Sequence, residues 1–117
     1  MKLITAIIRN TKLDAVREAL IEAEITRITV SRVSGHGQQI SEEIYRGRKV
    51  VPNLIPKTRL EIAINDEFMD IVVNTIIQAA KSNGSSLDKG VGDGKIFIQT
   101  LEDCIRIRTE ERGRDAI

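Results

Sequence analysis

Residues 2–9, KLITAIIR, form a compact apolar run of strand length closed by a charge. The run lacks helical spacing and predicts a buried β-strand. In the next stretch, TKLDAVREALIEA, Leu13, Val16 and Leu20 recur at helical intervals. That spacing predicts a helix over 12–23 covering a sheet, with Thr11 and Asp14 as a capping box. ITRITVSRV, residues 25–33, is rich in β-branched side chains, which lose rotamer freedom in helices and fit pleated surfaces, so it reads as a second strand. TRLEIAI, residues 58–64, sets Leu60, Ile62 and Ile64 against Arg59 and Glu61, the alternation of a third strand. Asn65 or Asp66 can cap the helix that follows, where Met69, Val72, Val73, Ile76, Ile77 and Ala80 make an unbroken apolar stripe. KIFIQT, residues 95–100, reads as a fourth strand, and CIRIRT, residues 104–109, as a short fifth with Ile105 and Ile107 opposite Arg106 and Arg108.

This order is β-α-β repeated, then a short strand. It predicts an α+β, ferredoxin-like βαββαβ sandwich with both helices on one face of the sheet. The other face stays bare unless a partner covers it, and apolar residues in all four main strands therefore argue for an oligomer. The 117 residues suffice for one core, a single domain over 1–117.

Two stretches interrupt the periodic pattern. Residues 34–57 hold three glycines and two prolines among charges, and a connection of that length is usually functional. Residues 81–94 are rich in Gly and Ser and end in GDG before Lys95.

Charge narrows the possibilities. Lys and Arg total 18 against 17 Asp and Glu, and a sum of +1 gives no general attraction to nucleic acid or an anionic membrane, so any anion site must be local. No apolar run approaches the roughly 20 residues that span a bilayer, and no signal-peptide pattern opens the chain, which points to a cytoplasmic protein. Cys104 stands alone and His36 is the one histidine, leaving neither a disulfide nor a zinc constellation. Tyr45, Phe68 and Phe97 are too few for a base-stacking platform. No Ser-His-Asp set or paired carboxylates suggest an enzyme.

Three motifs remain. In GVGDGKIFI, residues 90–98, glycines permit positive φ and let an anion approach backbone N–H groups, while Lys95 offers a point charge. Alone, Gly-Asp-Gly before a strand is most often just a turn. In IRIRT, alternation sends Arg106 and Arg108 out of one face, where their forks could grip a polyphosphate; a solvated edge is the plain alternative. In GHGQQ, His36 has no nucleophile or acid near it in sequence and reads as an exposed loop residue.

Taken together, AIIR, TVSRVSGHGQQ, EIYRG, PK before an alternating strand, GDGKIFI and IRIRTEERGRDAI closely resemble the P-II nitrogen-regulatory signal-transduction family, in register over essentially the whole chain. The resemblance implies a homotrimer with ATP or ADP bound in clefts between neighbours. Gly92, Asp93, Gly94 and Lys95 would wrap the phosphates as part of a B-loop at about 82–95, and Arg106 and Arg108 would reach them from the C-terminal segment, about 104–117, of the adjacent subunit. Thr29, Gly35, Gly37 and Gln38 would line the adenosine and phosphate side, with Glu61 and Ile64 near the base. A T-loop at about 36–57, including Tyr45, Arg46, Gly47 and Arg48, would engage a target such as a membrane transporter or metabolic enzyme. Neither a nucleic acid nor insertion into a membrane is implied. In members that sense 2-oxoglutarate, the residues matching Gln39 and Lys57 hold that acid, and Gln39 would also ligate magnesium. A slow ATPase, or a structural trimer without nucleotide sensing, are the rival readings.

The family pattern is broken in places. The segment between Gln39 and Tyr45 is one residue short, with Ser41 near an expected Gly. The usual uridylylated Tyr and phosphorylated Ser positions hold Val50 and Arg48. Gln38 stands where the family has Arg, which would favour ADP or AMP over ATP, and Glu110 replaces a glycine. The B-loop is longer by about half a dozen residues, a length that costs little closure entropy.

Overall fold

The computed structural model describes residues 1–36, 53–82 and 92–117, and the backbone of two short strands at 44–45 and 48–49. In chain order the elements are β1 (Lys2–Arg9), α1 (Leu13–Glu22), β2 (Thr29–Gly35), β3 (Ile44–Tyr45), β4 (Arg48–Lys49), β5 (Ile55–Ile64), α2 (Met69–Ala80) and β6 (Gly94–Thr100). Four strands form an antiparallel sheet in the order β2-β5-β1-β6, and β3 pairs with β4 separately. This is the ferredoxin-like α+β arrangement: each helix crosses from one strand to another over the strand that lies between them.

Alternation decides which face the helices cover. Ile4, Ala6 and Ile8 of β1 stand opposite Ile62, Leu60 and Thr58 of β5, and all six are buried. Against them pack Val16 and Leu20 of α1 and Val72, Ile76 and Ala80 of α2, the last three drawn from the predicted stripe. The hydroxyl of buried Thr58 donates to Asn10 Oδ1 at 2.7 Å, so its burial leaves no unmet polar group.

Boundaries differ from the sequence reading where tertiary contacts intervene. The second strand starts at Thr29 instead of residue 25. Residues 24–25 finish α1, with Glu24 at φ 63 and the Ile25 N–H on Leu20 O, a helix stop that turns Ile25 into the core. β5 begins earlier than expected, at Ile55, and tolerates Pro56 because that residue pairs only with Ser34; β1 joins the ladder from Lys57 onward.

The predicted caps are not used as caps. Thr11 lies inside a 3-10 turn, Asn10–Lys12, that precedes α1, and no side chain caps either. Asn65 also makes no side-chain cap; its amide donates to Arg114 O at 3.4 Å, and Asp66 instead takes the N-terminal amine at 2.8 Å. The fifth strand is reduced to one bridge, Ile105 with Arg112, closed by a turn.

The open face is mixed. Lys57, Arg59 and Glu61 of β5 alternate with its buried residues, and Arg59 pairs with Glu61 at 3.2 Å. Apolar surface on this face comes from Leu3, Ile7, Ala63 and Phe97, the last 51% exposed. With Val33 of β2 and Ile55 of β5 on the same side, each of the four strands contributes apolar surface to the open face, as expected of a face that a partner covers.

Candidate functional site

Strand register gathers one set of the singled-out residues at the end of the sheet where β1 finishes. Arg9 stands opposite Lys57, Lys57 opposite Val33, Gly35 opposite Ile55, and Lys95 opposite Ile7. Pairing partners share a face, so Arg9, Lys57 and Lys95 all lie on the open side. Three cations thus collect beside the GDGK turn, in a chain whose overall charge is only +1. Arg9 was not singled out in the sequence; its place at the end of the alternation of β1 is the signal that could have found it.

The turn itself is tightly specified. Gly94 has φ 119, and a Cβ there would sit 1.8 Å from Ile7 O, inside backbone. Only glycine fits, and it is held against β1 in the process. Arg9 Nε donates to Gly92 O at 3.0 Å and lies 3.6 Å from Asp93 Oδ1. The other carboxylate oxygen of Asp93 accepts from the backbone N–H and hydroxyl of Ser82, at 3.0 and 3.2 Å. The Ser82 backbone N–H, chiefly, holds the Asp93 carboxyl below its usual value. Asp93 is therefore ionised and turned into the protein, while Lys95 is exposed at the mouth of β6.

A second set lies at the other end of the same face. Thr29 stands opposite Glu61, and a cleft of about 360 Å³ is lined by Leu3, Thr29, Glu61, Ala63, Cys104 and Ala116. Beside it the C-terminal segment folds back on itself. The Arg106 N–H donates to Glu111 O at 3.0 Å, the Glu110 N–H to Arg106 O at 2.9 Å and the Gly113 N–H to Cys104 O at 2.9 Å. One carboxylate ties the base of this hairpin: Asp103 accepts from the Cys104 and Gly113 N–H groups at 2.8 and 3.1 Å and from two nitrogens of Arg112 at 3.0 and 2.6 Å. The Arg106 guanidinium donates to Ala116 O at 3.2 Å and lies 3.7 Å from Glu111. Arg108 is exposed in the turn, and Ile107 beside it is 97% exposed.

The two sets do not meet within one chain. Leu3 lines the second and Arg9 belongs to the first, a separation along β1 of roughly 20 Å at strand rise. The glycine turn and the arginine hairpin occupy opposite ends of the sheet. Ile64 joins neither set through its side chain, which is buried beneath the helices. The expectations on Gly37, Gln38, Gln39, Arg46 and Gly47, and on the side chains of Tyr45 and Arg48, lie outside the described residues. His36 is exposed at the end of β2.

Comparison with known proteins identifies the family. The family model for nitrogen regulatory protein P-II matches residues 1–111. Nitrogen regulatory protein GlnK1 of Methanosarcina mazei is 47% identical over all of this chain and 97% of its own length. Nitrogen regulatory protein P-II of Rhodobacter capsulatus is 43% identical over the full length of both. Among solved structures, Arabidopsis thaliana PII bound to citrate matches with a TM-score of 0.77 at 32% identity, covering 99% of this chain and 91% of that one. Sequence likeness over the whole chain, with a matching fold, means that this chain belongs to the P-II family of nitrogen regulatory proteins, signal-transduction regulators and not enzymes.

Proposed function

We propose that this protein is a homotrimeric sensor that binds ADP or ATP in clefts between subunits and uses its T-loop, about 36–57, to control a partner protein. The observation that carries the reading is the separation just described. The cationic glycine turn and the arginine hairpin sit at opposite ends of one open face, so each is half of a site that a second copy would complete. Gly92, Gly94 and Lys95 of one subunit would take the phosphates through backbone N–H groups and a point charge. Gly35, Gly37 and Gln38 would flank them. Arg106 and Arg108 of the neighbour would grip the same phosphates, and Thr29, Glu61 and the backbone at Ile64 would line the adenosine side of the cleft that this hairpin borders.

The donors fit the ligand. Arg9, Lys57 and Lys95 gather at one end of a chain whose net charge is only +1, and Gly94 holds the turn against the backbone of β1. Gln38 in place of the family Arg removes a charge, so ADP or AMP should bind more tightly than ATP. Gln39 and Lys57 would serve 2-oxoglutarate, with magnesium on Gln39. Occupancy would bias the T-loop between conformations, one of which the partner selects. That partner would be a transporter or a metabolic enzyme, met in the cytoplasm.

Calorimetric titration with ATP and ADP, each with and without magnesium and 2-oxoglutarate, tests the ligands. Saturation near one nucleotide per subunit is expected, and ATP binding as tight as ADP or tighter would overturn the assigned preference. Subunit sharing has its own test. Lys95→Ala and Arg106→Ala proteins should each fail to bind, yet refolding them together should restore about a quarter of the sites, since random mixing pairs an intact turn with an intact hairpin at that frequency. No recovery would place both groups in one chain's site and overturn the shared cleft.

A further inference from the structure

We propose that Asp93 is a positioning residue and not a ligand: its carboxylate clasps the end of α2 to the start of β6, and so sets the geometry of the Gly92–Lys95 turn independently of the long segment between Ser82 and Gly92. The proposal deepens the nucleotide reading above and rests on it.

Three elements meet at this one side chain. Ser82 is the second residue beyond α2, and its N–H and hydroxyl both reach Asp93 Oδ2, at 3.0 and 3.2 Å. Arg9, the last residue of β1, approaches Oδ1 at 3.6 Å while its Nε holds Gly92 O at 3.0 Å. The chain therefore leaves at Ser82 and returns at Gly92 to nearly the same point. Between them lies the stretch that is longer here than in the family pattern.

Two physical consequences follow from that closure. First, a carboxylate facing the phosphates would repel them, and turning its oxygens toward Ser82 and Arg9 lessens that repulsion while leaving Lys95 to act on the ligand. Second, the free energy of closing a loop grows only logarithmically with its length. A clasp of charge-assisted hydrogen bonds outside the inserted stretch can then hold the turn whatever that stretch contains. The insertion is tolerated at a phosphate site because the site's shape is fixed by residues on either side of it.

The test compares full-length Asp93→Ala, Asp93→Asn and Ser82→Ala with the unchanged protein, using ADP titration and amide hydrogen exchange at Gly94 and Lys95. Losing the clasp should weaken ADP about tenfold in Asp93→Ala, the size expected for hydrogen bonds to a charged group. Asp93→Asn keeps an acceptor for Ser82 and should lose less, as should Ser82→Ala, which keeps the backbone donor. A further variant deletes residues 84–89 from the Asp93→Ala protein. Shortening the tether should restore part of the affinity, whereas shortening cannot replace a lost ligand. Unchanged ADP affinity in Asp93→Ala, or no recovery on shortening, would overturn the clasp. Should the unchanged protein bind no ADP, the nucleotide reading fails and exchange alone decides. Faster exchange at Gly94 and Lys95 in Asp93→Ala, with β5 amides unaltered, upholds the clasp, and unaltered exchange overturns it.

Discussion

The GDGK turn and the C-terminal hairpin are each fixed by a single aspartate, Asp93 in one and Asp103 in the other, yet their backbones solve the turn differently. At the first, φ 119 at Gly94 with backbone 1.8 Å from any Cβ admits glycine alone. At the second, Glu110 occupies φ 61, a left-handed position where the family pattern has glycine, and its N–H still closes the turn on Arg106 O. The contrast tracks what each turn packs against. The first lies against β1, whose backbone comes too close at Ile7 O for any side chain. A hairpin that offers side chains stands out in solvent, where a left-handed non-glycine residue meets local strain but no neighbour.

Breaking the first turn should have the largest effect. Gly94→Ala combines positive φ with overlap that only movement of β1 can relieve. It should lower stability by about 3 kcal/mol or more, a drop of roughly 10 °C or more in Tm by thermal unfolding. A Tm within a few degrees of the unchanged protein would mean that the approach to Ile7 O is not rigid.

Breaking the second should act on the ligand and not on the fold. Asp103→Ala removes an exposed acceptor at the base of the hairpin, outside the buried core, so Tm should hold while nucleotide affinity falls several-fold through disordered arginines. A parallel loss of Tm would show that the hairpin is part of the fold's stability after all.

Relaxing the second sharpens the comparison. Glu110→Gly removes left-handed strain and should raise stability by about 1 kcal/mol, even after the greater freedom of glycine in the unfolded chain. At Gly94 no substitution can stabilise.

The smallest effect is in pH. The Arg112 guanidinium, and next the Cys104 N–H, hold the Asp103 carboxyl below its usual 3.8, as the Ser82 N–H does for Asp93. The folded form of each binds its proton less readily than the unfolded chain. The stabilisation is therefore complete above about pH 4 and is lost as pH falls through the folded value. Amide shifts of Gly113 and Ser82 followed by NMR from pH 7 downward should stay flat to that point and then move. A midpoint between pH 5 and 6 would contradict both assignments.

Much of this architecture is legible in the order of the residues, because burial on one face imposes a period. β1 was predicted at its observed bounds, and the stripe of α2 includes all three of its buried residues, since each periodicity is a record of which side meets the core. Residue type alone left the GDGK and RIRT motifs open between phosphate site and plain turn or edge, and only their resemblance to a family pattern favoured the first. Alternation misled at CIRIRT, because a left-handed Glu110 carries no turn signature and lets the chain fold back where two-residue spacing suggests a strand. Local pattern is blind to register and to distant partners. Only the tertiary structure brought Arg9 beside the GDGK turn, faced Asp93 inward to Ser82, and set turn and hairpin at opposite ends of one sheet face, because those placements depend on how separate strands slide past one another, which no single stretch of sequence encodes.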